Sequence, residues 1–122
     1  MLGRFGWFAE NSGKHVHPPR ELRPSVRGLF DLHGNLFEWS HDWFGAYGVD
    51  AITDPLGANE GSDRVIRGGG WNGAAAFCRS AYRDANVPTN RANDYGFRLA
   101  LSLSGVAPEA APVKGAASPG CG

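Results

Sequence analysis

Three oxygen-bearing side chains, Asp31, Asn35 and Glu38, fall around Gly34 in the run DLHGNLFEW. A tight turn there would bring carboxylates and backbone carbonyls to one hard cation, because calcium accepts both kinds of oxygen. The same residues have a purely structural reading, in which Asp31 caps a turn and Glu38 pairs with an arginine, and spacing alone favours it. The chain has two cysteines, Cys78 and Cys121. Cys78 reads more readily as a small buried hydrophobe in a strand than as a reactive thiol, and the pair provides no disulfide framework from which a redox compartment could be argued. Histidines 15, 17, 33 and 41 have no zinc-like spacing. His15-Val16-His17 could place two rings on one side of an extended segment, but a surface loop explains them more simply. Arginines recur at 67, 79, 83, 91 and 98. Arg79, Arg83 and Arg98 are expected to pair with Asp or Glu and with loop carbonyls, since a guanidinium satisfies several acceptors at once. Arg67, Arg79 and Arg83, beside Trp71 and Tyr82, could instead line a groove for a peptide or an anionic ligand.

These groups must be positioned by a chain of 122 residues with little helical periodicity. That length suits one domain, large enough to bury a core without disulfides. Eighteen glycines and eight prolines, with four Trp, seven Phe and three Tyr, point to short strands and long loops pinned by aromatics, an irregular α+β domain. Residues 1–27 are expected to be turn-rich. A helical turn is expected around Phe30 to His33, then strands at Leu36 to Trp39, Arg64 to Arg67, Cys78 to Arg83 and Gly96 to Leu101. Gly68-Gly69-Gly70 permits a sharp turn or a close backbone approach. Beyond Ser104 the composition changes to Gly, Ala, Pro and Ser, so the domain is expected over 1–103 and a disordered tail over 104–122. Twelve basic and twelve acidic residues give a formal net charge of zero, with no Lys or Arg run to track phosphates, which argues against nucleic acid as a partner. No apolar stretch is long enough for a membrane span, and nothing indicates a cellular location.

The two signatures GLFDLHGNLFEWSHDW, at Gly28 to Trp43, and RVIRGGGWNGAAAFCRSAYRDANVPTNRANDYGFRLA, at Arg64 to Ala100, together resemble the C-terminal part of the formylglycine-generating-enzyme-like (sulfatase-modifying factor) family. The resemblance runs from about Trp7 to Ala100 and implies a variant of the C-type lectin fold, with the longer N-terminal portion usual in the family missing from this chain. It implies a structural calcium held by the side chain of Asp31, the carbonyls of Gly34 and Leu36, and Glu38. The family's oxidase holds copper(I) with two cysteines five residues apart, a soft-ligand pair suited to that ion. Aligned on that motif, Cys78 takes the second position and Gly73 the first, so one thiolate is absent and copper is not expected to be held.

Three functional readings follow. The first is a noncatalytic domain that binds a protein, a peptide or a small ligand through the loops from Trp71 to Tyr95, with Trp71, Asn72, Phe77, Asp94 and Tyr95 as contacts. The second is a copper-dependent oxidase that converts a sulfatase cysteine to formylglycine, with Cys78 as its catalytic thiol. The third is a binding protein diversified by a retroelement on this same fold, with Gly73, Ala74, Ala76, Phe77, Asp94 and Tyr95 at the positions that would vary.

Overall fold

The computed structural model describes residues 1–49, 51, 53 and 55–100; the tail, Cys121 and the end of the expected last strand lie outside them. Six short strands carry the architecture: β1 Gly6–Trp7, β2 His33–Gly34, β3 Phe37–Trp43, β4 Arg64–Arg67, β5 Asp84–Asn86 and β6 Tyr95–Gly96. Strands β1 and β2 form a parallel pair, and the other four form one sheet in the order β5-β4-β3-β6. Neighbours pair antiparallel except β3 with β6, which run parallel with Phe37 opposite Tyr95 and Glu38 opposite Gly96. Single 3₁₀ turns at Leu2–Arg4 and Ala75–Cys78 are the helical elements among the described residues.

The sheet forms where the sequence offers β-branched and aromatic residues. Val65 and Ile66, at the centre of β4, are both buried, so each face of this strand is covered and the flanking Arg64 and Arg67 point to its margins. Burying each contributes roughly 1.5–3 kcal/mol. On β3, Phe37 and Trp39 are two residues apart and share a face. The Tyr95 ring stands edge-on to both, with centroids 6.4 and 5.4 Å away, which joins β6 to this core. Register shifts between Trp39 and Trp43, and Trp43 ends the strand with the Arg64 guanidinium 3.6 Å above its ring.

Expected elements differ from the observed ones in five places. No helical turn forms at Phe30 to His33, because Asp31 adopts a left-handed backbone (φ 54°) that ends any helix, and His33 already belongs to β2. The strand expected at Leu36 to Trp39 starts at Phe37 and continues to Trp43, since its partner β4 reaches that far. The segment Cys78 to Arg83 is not a strand: Ala75–Cys78 closes as a 3₁₀ turn, Tyr82 N–H donates to the Arg79 carbonyl in a turn, and pairing with β4 begins only at Asp84. The last strand is the two residues of β6, because Arg98 is drawn out of the sheet toward Glu38 and the carbonyls of Phe30 and Asp31. The opening residues, expected to be irregular, contribute β1 and a 3₁₀ turn.

Two glycines are required by this packing. Gly69 (φ 81°) lets the Ala75–Cys78 turn approach β4, and a Cβ there would stand 2.6 Å from the Cys78 sulfur. Gly34 (φ 77°) crosses the main chain of Trp7 so closely that a Cβ would run into the Trp7 carbonyl.

Candidate functional site

The loops from Trp71 to Tyr95 are held from beneath by two buried polar residues. Asn35 sits in the left-handed region (φ 66°), which asparagine tolerates better than other non-glycine residues. Its amide side chain accepts the His17 N–H and donates to the His17 carbonyl, each at 2.9 Å. Its backbone carbonyl accepts the Trp71 N–H at 2.8 Å. Fully buried Ser12 donates its hydroxyl to the Trp71 carbonyl at 2.8 Å, so both main-chain polar groups of Trp71 are fixed by residues far away in sequence. Ala9 N–H donates to the Gly73 carbonyl in the same manner. Sequence reasoning missed this clasp. Asn11-Ser12-Gly13 signals only a turn, and Asn35, considered as a cation donor, has its amide occupied by His17 instead. The rings of His15 and His17 do lie together, 4.2 Å apart, with His17 stacked on Trp7 at 3.7 Å.

Of the five expected contact residues, Asn72 and Phe77 are exposed, while Trp71, Asp94 and Tyr95 are half-buried. Asn72 donates to the Asp94 carboxylate at 3.0 Å, and both lie beside half-buried Trp71, whose indole N–H reaches the Asn93 carbonyl. Phe77, 38% exposed, leans on Tyr82 with ring centroids 4.9 Å apart. Tyr95 is half-buried at the base of the face. Its ring packs edge-on to Phe37 and Trp39, and its hydroxyl accepts a hydrogen bond from Asn86 at 2.6 Å.

Gly73 packs against Phe77, and Cys78 is 1% exposed beneath the Gly68-Gly69 turn. Burial, and then the charge of Glu10, push the Cys78 thiol above its ordinary pKa, which keeps it protonated and a poor nucleophile. The Cys78 carbonyl accepts from His33 Nδ1 at 2.7 Å, which puts the imidazole proton on that nitrogen.

Asp31, Gly34, Leu36 and Glu38 all line one cavity of about 570 Å³. Their oxygens are of the kind a calcium ion takes. Two arginines share them: the Arg20 N–H donates to Asp31 Oδ2 at 2.9 Å, and the Arg98 guanidinium engages both Glu38 oxygens, through Nε at 2.6 Å and through Nη2, while also donating to the Asp31 and Phe30 carbonyls. Hydrogen bonding to Glu38 pushes the Arg98 pKa above its ordinary value, against the opposing effect of burial. The Asp31 and Glu38 side chains thus already accept hydrogen bonds, and among the described residues no three His, Cys, Asp or Glu side chains come together as a metal site would require. Arg79 and Arg83 meet the expectation in part. They meet carbonyls of Ala76 and Gly45 and the rings of Tyr82, Phe44 and Tyr47, with no carboxylate in salt-bridge contact among the described residues.

Comparison with known proteins places this geometry. Over 97 residues the chain is 35% identical to the formylglycine-generating enzyme of Streptomyces coelicolor, covering 75% of this chain and 31% of that enzyme. The chain thus spans about a third of the length of that relative. Among solved structures, the Treponema denticola variable protein 1 superposes with a TM-score of 0.75 at 37% identity, covering 79% of this chain and 35% of that one. PvdO from Pseudomonas aeruginosa superposes with a TM-score of 0.67 at 24% identity over 77% of this chain and 38% of its own, a likeness of fold alone. The strand-rich, helix-poor domain is therefore C-type-lectin-like, as its motifs imply. The model of the sulfatase-modifying factor enzyme 1-like domain matches residues 1–103, and the chain belongs to that family.

Proposed function

We propose that this chain is a noncatalytic binding domain of the family, which takes a protein, a peptide or a small ligand on the face formed by Trp71, Asn72, Phe77 and Asp94. One observation carries this reading. The first cysteine position of the oxidase motif is Gly73, packed against Phe77, and the remaining thiol, Cys78, is buried and held protonated. A lone protonated thiol is a poor copper(I) ligand, whereas a rigid loop carrying exposed aromatic and amide groups suits recognition. Calcium belongs to the same proposal: the Asp31 and Glu38 carboxylates with the Gly34 and Leu36 carbonyls would hold it, and it would brace the turn behind the face. Alanine substitution at Asn72, Phe77 and Asp94 tests the face. Binding to a partner recovered by pull-down should weaken while the melting temperature barely moves, and loss of fold at all three would remove the reading.

The likeness to the Treponema denticola variable protein 1 favours a second reading, a binding protein whose face differs between copies. Sibling genes that differ at Gly73, Ala74, Ala76, Phe77, Asp94 and Tyr95 and agree elsewhere would establish it; uniform siblings would dismiss it. The oxidase alternative rests on the likeness to the formylglycine-generating enzyme. Oxygen consumption with a Cys-X-Pro-X-Arg peptide decides it.

A further inference from the structure

Between the glycine turn after β4 and the Ala75–Cys78 turn lies a small cleft of about 210 Å³, with Arg67 and Arg79 on its walls and His33, Ser80 and Cys78 around them. Each guanidinium is anchored through one nitrogen to a main-chain carbonyl, Arg67 to Ser80 at 2.7 Å and Arg79 to Ala76 at 3.1 Å. Each has further N–H donors, since a guanidinium carries five. Neither has a carboxylate in salt-bridge contact among the described residues. Glu38 is the one carboxylate lining the cleft, and although it stands opposite Arg67 in the β3–β4 register, Arg98 engages both its oxygens from the other side of β3. The cleft therefore carries two cationic groups facing one carboxylate that a third cation neutralises. Cys78, at its floor, adds no negative charge while its thiol stays protonated. The volume falls below the roughly 300 Å³ at which small-molecule pockets begin, so it suits a single side chain or chain end rather than a cofactor.

We infer that this cleft receives a carboxylate of a peptide ligand, held by Arg67 and Arg79. The inference rests on the binding-domain reading and gives it a chemical class, an acidic segment crossing the loop face beside Phe77 and Tyr82. Arginine is the suitable residue, because its planar fork donates two parallel bonds to a carboxylate, and two such forks in a narrow cleft favour an anion over an amide of the same shape.

Fluorescence polarisation on the full chain with end-blocked, labelled Gly-Phe-Glu-Phe-Gly and its glutamine counterpart tests this. The glutamate peptide should bind at least about tenfold more tightly, equivalent to about 1.4 kcal/mol. Arg67→Gln and Arg79→Gln should each remove most of that preference. Arg79→Gln should do so with little change in melting temperature, since its guanidinium is exposed and meets only the nearby Ala76 carbonyl and the Tyr82 ring. If the glutamine peptide regains affinity when its C-terminus is left free, the carboxylate comes from a chain end, which also supports the site. Equal affinity for the two blocked peptides, or a preference that survives Arg79→Gln, overturns it. Sodium acetate alone reads the cleft independently of any partner: saturable shifts of the Arg67 and Arg79 Nε resonances, without one at Arg83, are expected, and their absence overturns the inference. Peptide binding that depends on Phe77 but ignores the carboxylate would leave the binding-domain reading standing and remove this one.

Discussion

Replacing Asn35 with alanine should destabilise the domain by about 3 kcal/mol, and the figure can be built from the structure. The substitution deletes two hydrogen bonds of 2.9 Å between the Asn35 amide and the main chain of His17. At a net ~1 kcal/mol each they account for about 2 kcal/mol, with no larger penalty for unpaired groups because His17 is half-buried and water can partly replace the amide. Asn35 holds φ at 66°, and alanine in that region costs roughly 1 kcal/mol more. For a domain near 100 residues, each kcal/mol lowers the melting temperature by about 4 °C or more, so a fall of at least about 12 °C is expected in thermal unfolding followed by near-ultraviolet circular dichroism. Asn35→Gly keeps the backbone conformation and should lose about 2 kcal/mol through the hydrogen bonds alone. Hydrogen exchange at the amides of His17 and Trp71 should quicken in both variants, because the clasp under the loop face is released. An alanine variant within about 0.5 kcal/mol of the parent, with unchanged exchange at Trp71, would refute the claim that Asn35 holds the N-terminal segment to the face.

Tyr95→Ala should cost about 3 kcal/mol, unlike Phe77→Ala at the exposed end of the same face, because it removes a ring packed on Phe37 and Trp39; comparable small losses for both in denaturant titrations would show that the Tyr95 ring does not anchor β6. Calcium should raise the melting temperature and excess chelator lower it, and identical curves in both conditions would remove calcium from the Asp31 to Glu38 turn. The purified chain should not form formylglycine on a sulfatase-type peptide with copper and oxygen, because Gly73 offers no thiolate; mass-spectrometric detection of the aldehyde would show otherwise. The Cys78 thiol has a folded pKa raised by burial, so above the ordinary thiol value of about 8.5 the unfolded chain loses this proton first and stability should fall as pH rises; Cys78→Ser should flatten that alkaline limb relative to the parent, and an unchanged limb would mean that the thiol does not contribute to it.

Sequence alone determined the elements whose signal is local. The runs Arg64 to Arg67 and Leu36 to Trp39 read as short strands, and Gly68 to Gly70 as a sharp turn or close backbone approach, which Gly69 makes against Cys78. The two motifs also carried the family, and with it the fold. What the residues near the site do to one another was decided by tertiary structure. Glu38 meets Arg98 across 60 positions, Ser12 meets the Trp71 carbonyl across 59, and His33 meets the Cys78 carbonyl across 45. The order of Cys78 to Arg83 depended likewise on where β4 stops pairing, and the packing of Tyr95 on the ring of Trp39. Periodicity and spacing report which face of a short segment is apolar, whereas a hydrogen bond between distant side chains leaves no repeat in either segment. Loop-rich domains depend on such bonds, and their partners are fixed only when the chain closes on itself.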